Sequence, residues 1–111
     1  MEIIAPSENN IRRAGEALAR GLLVAIPTET VYGLGANAFD TRAVARVFEA
    51  KARPSFDPLI VHVPDLEMVE RVAYVPTARV RALMEGRWPG PLTLILPKRE
   101  AVPDLVTSGL P

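Results

Sequence analysis

LLVAIPTETVYGLGANAFD, residues 22–40, contains the abrupt change from apolar to polar that organises the reading of the whole chain. Residues 22–26 form a continuous apolar run of strand length, as expected for a strand buried on both faces of a sheet. Pro27 ends the pairing because it has no N–H to give to a ladder. Thr28, Glu29, Thr30 and Tyr32 therefore fall at the mouth of a strand, where α/β proteins commonly hold ligands. Gly33 and Gly35 let the backbone turn tightly or approach a ligand closely. The segment reads either as a ligand loop or as a polar turn with two glycines, and GLG is too short for a dinucleotide fingerprint.

Helical signals flank this segment. Ser7 is placed to cap a helix from about Glu8 to Arg20, with Ile11, Ala14 and Leu18 on one face and Gly21 at its end. Asp40 is placed to cap a second helix from about Thr41 to Ala52, whose apolar positions Val44, Val47 and Phe48 recur at helical spacing and pack on the sheet. Its outer face carries Arg42, Arg46 and Glu49, a solvated set with pairs three or four apart. Pro54 disfavours a helical Arg53 and stops that helix near Ala52.

Residues 59–63, LIVHV, read as a second interior strand closed by Pro64. Asp65 starts a short helix with Leu66, Val69 and Val72 inward, and Thr77 starts another with Val80, Leu83 and Met84 inward. Trp88-Pro89-Gly90-Pro91 forces a turn before a third apolar strand, residues 92–96. Alternating helices and strands define the fold class as α/β, a twisted, mostly buried sheet flanked by helices. Residues 102–111 begin a new segment that ends without a closing helix or strand, so the sheet is expected to be incomplete at the C-terminus and an exposed edge there would favour self-association.

Composition narrows the function. At 111 residues the chain is one domain at most, and its 49% apolar content is enough for a core. Thirteen Lys and Arg balance thirteen Asp and Glu, which removes any argument from net charge for nucleic-acid or membrane binding. With no cysteine, disulfides, zinc–thiolate sites and thiol catalysis are excluded. A single histidine argues against a histidine-based metal centre. The N-terminus lacks a basic region with a long apolar core, and no run approaches membrane-spanning length, so a cytoplasmic protein is expected.

Residues 51–58, KARPSFDP, put two cations two positions apart. Helix termination at Pro54 frees Arg53 to turn toward the volume near Lys51, and the seven-residue spacing of Lys51 from Val44 puts it at the sheet end of the buried face. A cation there needs an anion or a wet cleft. A planar guanidinium fork with a mobile ammonium suits polyphosphate, while the plainer alternative is a pair of cations favoured by a helix C-terminus. His62 shares a face with Ile60 inside a buried strand, where a locally hydrogen-bonded core histidine is the alternative to a ligand-facing one. Trp88 and its turn read as packing and turn chemistry rather than a stacking platform for a base. Paired carboxylates for acid–base work are not evident.

Three motifs in this order, PTETVYGLG at residues 27–35, KARPSFDPLIVHV at residues 51–63 and WPGPLTLIL at residues 88–96, resemble the YrdC-like family of threonylcarbamoyl-AMP synthases. The resemblance spans about residues 10–110. It implies a single YrdC-like domain over residues 1–111 that lacks the C-terminal part of the family's domain, including a Thr-Val-x-Val-Arg strand and a Ser-x-Asn loop; the 111-residue chain alone is therefore expected to have little or no synthase activity.

The reaction so implied joins L-threonine, bicarbonate and ATP to give threonylcarbamoyl-AMP and pyrophosphate, with Mg²⁺ carried on the nucleotide. Transfer proteins acting on tRNA would use the product for t6A modification. The resemblance assigns Lys51 and Arg53 to the ATP phosphates, Thr30 and His62 to L-threonine, and Tyr32 and Thr28 to the shape of that pocket. Asp57 stands where many relatives place an amide that contacts ATP; a carboxylate there repels phosphate unless it meets Mg²⁺ or turns away. No catalytic nucleophile and no metal ligands of the protein are implied, because positioning and neutralisation of phosphate charge suffice. Two other readings are a module binding tRNA or double-stranded RNA, weakened by zero net charge, and the carbamoyl-transfer domain of a hydrogenase-maturation protein, disfavoured by the absence of an upstream acylphosphatase or zinc-finger segment.

Overall fold

The structure, a computed structural model, describes residues 1–52 and 57–111. Two compact units divide the chain, Met1–Pro54 and Ser55–Pro111. In the first unit, helix α1 spans Glu8–Ala19 and starts where Ser7 Oγ accepts from the Asn10 N–H at 3.2 Å. It ends in a Schellman closure: Gly21 N–H reaches the Leu18 carbonyl at 3.0 Å and Leu22 N–H the Ala17 carbonyl at 3.0 Å. Gly21 takes φ 85°, a left-handed conformation in which a side chain is strained. The expected inward face of α1 is only partly realised, since Ala14 and Leu18 are half-buried while Ile11 is exposed.

Strand β1, Val24–Ile26, follows and pairs antiparallel with β2, Gly33–Gly35, in the register Val24 opposite Gly35 and Ile26 opposite Gly33. Pairing stops before Pro27, as its missing N–H requires. This strand is shorter than the apolar run of residues 22–26 and is not buried on both faces, because Ala25 is exposed and its neighbours are half-buried. Hydrophobicity marked the strand but overstated its burial.

Helix α2, Thr41–Lys51, is capped by Asp40, whose Oδ1 accepts from the Arg42 and Ala43 N–H groups at 3.0 and 3.2 Å. It buries Ala43, Val44, Val47 and Phe48, the stripe its spacing announced. Ala52, at φ 51°, closes it as a left-handed cap. Arg42, Arg46 and Glu49 are exposed, as the outer face of α2 was expected to be, and Arg46 Nη1 also donates to the Gly21 carbonyl at 2.7 Å.

The second unit contains α3, Leu66–Val72, and α4, Ala78–Arg87. Asp65 Oδ1 accepts from Met68 N–H at 2.8 Å and Thr77 Oγ1 from Val80 N–H at 3.2 Å, so both caps sit where the sequence places them. Val69 and Met84 are the buried contacts of these helices, whereas Leu83 is exposed. The Trp88 indole N–H donates to the Leu92 carbonyl at 2.8 Å and closes the Pro-Gly-Pro turn. Residues 97–99 return beside the end of α3: Tyr74 N–H bonds Pro97 O and Arg99 N–H bonds Val72 O, each at 2.9 Å. Lys98 and Ala73 form an antiparallel bridge there. Buried Val102 and Val106 belong to the same core.

Residues 59–63 and 92–96 are not the expected interior strands. Their alternation of burial is present, with Leu59, Val61 and Val63 half-buried between exposed Ile60 and His62, but neither run has a ladder partner among the described residues. Leu59 N–H bonds the Val106 carbonyl at 2.8 Å instead, and Ile95 is 99% exposed. The class is nonetheless α/β, with four helices and a small antiparallel sheet among the described residues. No helix among the described residues is long and apolar enough to cross a membrane.

Candidate substrate site

The polar segment after Ile26 is the connection of the β1–β2 hairpin, residues 27–32. Thr28 folds it. Its Oγ1 donates to the Val31 carbonyl and accepts from the Thr30 N–H at 3.3 Å, so one hydroxyl bridges the loop twice. The Thr28 methyl faces Gly33, where a Cβ would lie 3.2 Å from Thr28 Cγ2. A side chain at 33 would thus crowd the Thr28 methyl. Thr30 and Tyr32 are both exposed on this folded connection, with a hydroxyl and a phenol free to meet a ligand.

Lys51 is the last residue of α2 and is exposed, not on the buried face that its spacing from Val44 suggested. The left-handed turn at Ala52 unwinds the helix directly after it and leaves the ammonium in solvent. Its position beside the terminal carbonyls is electrostatically favourable, and a solvated ammonium is also available to an anion. Arg53 lies outside the described residues.

His62 and Asp57 belong to the second unit. His62 is exposed rather than interior, because residues 59–63 turn its face to solvent together with Ile60. Its Nδ1 lies 3.3 Å from the Ile60 carbonyl. A carbonyl only accepts, so Nδ1–H is the donor in this contact. Asp57 is half-buried. Thr28, Thr30 and Tyr32 are therefore brought together by one hairpin, while Lys51, His62 and Asp57 occupy separate elements.

One supporting device escaped the sequence. Asp40 Oδ2 lies 2.9 Å from where a Cβ on Gly21 would stand, and Arg46 binds the carbonyl of that same glycine. The cap of α2 and the entrance to β1 thus share one junction. Its sequence signal was a C-terminal glycine, an N-cap aspartate and an arginine midway along the helix, each legible singly but not as a contact.

The first unit thus carries a polar hairpin connection and a solvent-exposed lysine at a helix end. Residues 16–111 match the Sua5/YciO/YrdC family model, described as Telomere recombination, and the chain belongs to that family. It is 52% identical over 103 residues to the threonylcarbamoyl-AMP synthase of Pyrococcus abyssi, covering 93% of this chain and 30% of that protein. Identity to the threonylcarbamoyl-AMP synthase of Bacillus subtilis is 46% over 108 residues, covering 96% of this chain and 31% of that protein. The crystal structure of P. abyssi Sua5 complexed with L-threonine is similar with a TM-score of 0.88 at 51% identity, covering 98% of this chain and 32% of that one. The chain spans under a third of the length of these relatives.

Proposed function

We propose that the full-length protein is a threonylcarbamoyl-AMP synthase acting in tRNA t6A modification in the cytoplasm, and that residues 1–111 are the N-terminal part of a single YrdC-like domain. The observation that carries this reading is the likeness to a Sua5 complexed with L-threonine, at 51% identity across 98% of the chain. In the proposed reaction the threonine amine condenses with bicarbonate to a carbamate, releasing water. A carbamate oxygen then attacks the α-phosphorus of ATP and pyrophosphate leaves. No covalent protein intermediate is needed, so the protein's contribution is orientation and charge neutralisation.

The exposed hydroxyl of Thr30 is assigned to L-threonine, with Tyr32 beside it on the same hairpin. His62 is assigned to the same substrate through its solvent-exposed imidazole. Lys51 and Arg53 are assigned to the ATP phosphates, where an ammonium and a guanidinium fork counter the charge that develops as pyrophosphate departs. Mg²⁺ arrives as part of the nucleotide substrate, and Asp57 either meets that ion or turns away from the phosphates. The product is a mixed anhydride that tRNA-modifying transfer proteins would consume.

Calorimetric titration of the full-length protein with L-threonine and L-serine tests the reading. Threonine should bind more tightly by roughly tenfold, the worth of one methyl in a fitted pocket. Equal affinity for the two, or no binding of either, would overturn it.

A further inference from the structure

We infer that Thr28 is a positioning residue: its hydroxyl does not meet the substrate but fixes the backbone of Thr30, and so sets the hydroxyl that does. The inference rests on the proposed assignment of Thr30 to L-threonine and deepens it. A threonine hydroxyl has one proton to give and two lone pairs to accept with. In this loop the proton goes to the Val31 carbonyl and one lone pair takes the Thr30 N–H at 3.3 Å. The other branch of the side chain is also committed, because Cγ2 packs where Gly33 leaves room for it, 3.2 Å from the site of an absent Cβ. The proton, one of the two lone pairs and the methyl of Thr28 are therefore committed to the loop's own conformation.

The consequence concerns an exposed connection. Residues 28–32 are exposed and lack ladder hydrogen bonds, since pairing of β1 with β2 ends at Ile26 and Gly33. An unpaired hairpin connection of this kind samples many conformations unless local bonds restrict it. The two bonds through Thr28 Oγ1 are those restrictions, spanning from Thr28 to Val31 with Thr30 between them. Ordering Thr30 before the ligand arrives lowers the entropy cost of binding. Thr28 thus acts on threonine affinity through Thr30, and not on the nucleotide.

A double-mutant cycle in the full-length protein tests this. Thr28→Val keeps the shape and removes both bonds; threonine affinity should fall about tenfold and ATP affinity should stay within about twofold. Thr28→Ser keeps the hydroxyl and should stay within about threefold of wild type. In a Thr30→Ala background, Thr28→Val should cost less than about twofold more, because the partner it acts through is gone. An equal loss in both backgrounds would mean that Thr28 meets the ligand itself, and would overturn the inference. So would an equal loss for Thr28→Ser and Thr28→Val, or wild-type affinity in Thr28→Val.

Amide exchange at Thr30 gives a readout independent of any substrate. It should quicken by about tenfold in Thr28→Val and remain near wild type in Thr28→Ser. Should wild type fail to bind threonine, the proposed function falls. The exchange data still decide the loop role, and unchanged Thr30 exchange in Thr28→Val contradicts it.

Discussion

Arg46 Nη1 donates to the Gly21 carbonyl at 2.7 Å, fastening the middle of α2 to the turn from which β1 departs. β1 leads directly into the hairpin loop and α2 ends at Lys51, so the contact links the supports of two candidate site elements within the first unit. Because the acceptor is a backbone carbonyl, the link depends on the conformation of Gly21 as much as on the arginine.

Gly21→Ala is expected to destabilise the protein by about 2–4 kcal/mol, combining strain at φ 85° with displacement of the Asp40 carboxylate from a cap worth about 1 kcal/mol. Arg46→Met removes one charge-assisted bond and keeps the aliphatic stem, for about 1–2 kcal/mol. Denaturant unfolding of both variants and their combination is the measurement. Because they act on one junction, the double variant should lose less than the sum of the singles.

Much of this frame was legible in the sequence. Ser7, Asp40, Asp65 and Thr77 cap the helices that they announce, since a short polar side chain before an apolar periodic run answers a purely local need for orphan N–H groups. The interior strands expected at residues 59–63 and 92–96 failed for the opposite reason: alternation reports which side chains are exposed, while a strand needs a partner that no local pattern supplies. β2 was invisible because Gly33-Leu34-Gly35 has neither β propensity nor alternation and exists by pairing with β1.

The candidate site was legible as residue types but not as geometry. Thr28, Thr30 and Tyr32 stood out as a polar cluster, yet the turn of Thr28 Oγ1 back onto Val31 depends on loop conformation. Lys51 and His62 were expected to be interior and are exposed, because helical and strand spacing were extrapolated to positions where each element gives way to irregular chain.

In the second unit, Lys98 and Glu70 should differ in importance although both carry ion pairs. Lys98 is only 16% exposed in its side chain and donates to the Val102 carbonyl at 3.0 Å while pairing with Asp104 at 2.9 Å. Lys98→Met leaves that carbonyl without its donor and should cost about 1–2 kcal/mol. Glu70 joins Arg81 and Arg99 at the surface, with Arg99 also stacked 4.1 Å from the Tyr74 ring centroid. Glu70→Gln should cost under about 1 kcal/mol, and raising the salt concentration should shrink that difference. Thermal unfolding at low and high salt separates the two cases.

Lys51→Ala distinguishes phosphate binding from mere stabilisation of a helix end. The proposed role predicts a loss of ATP affinity of roughly 10–100-fold, with stability reduced by no more than about 1 kcal/mol. A favourable helix-end cation alone would give the stability change and leave ATP affinity untouched. Titration calorimetry beside denaturant unfolding resolves the alternatives.

Pyrophosphate release by the full-length protein tests the central claim most directly. Release should require ATP, L-threonine and bicarbonate together, and label from bicarbonate should appear in an adenylate that also contains threonine. Pyrophosphate released at the same rate without threonine or bicarbonate, or no release with all three, would contradict the account.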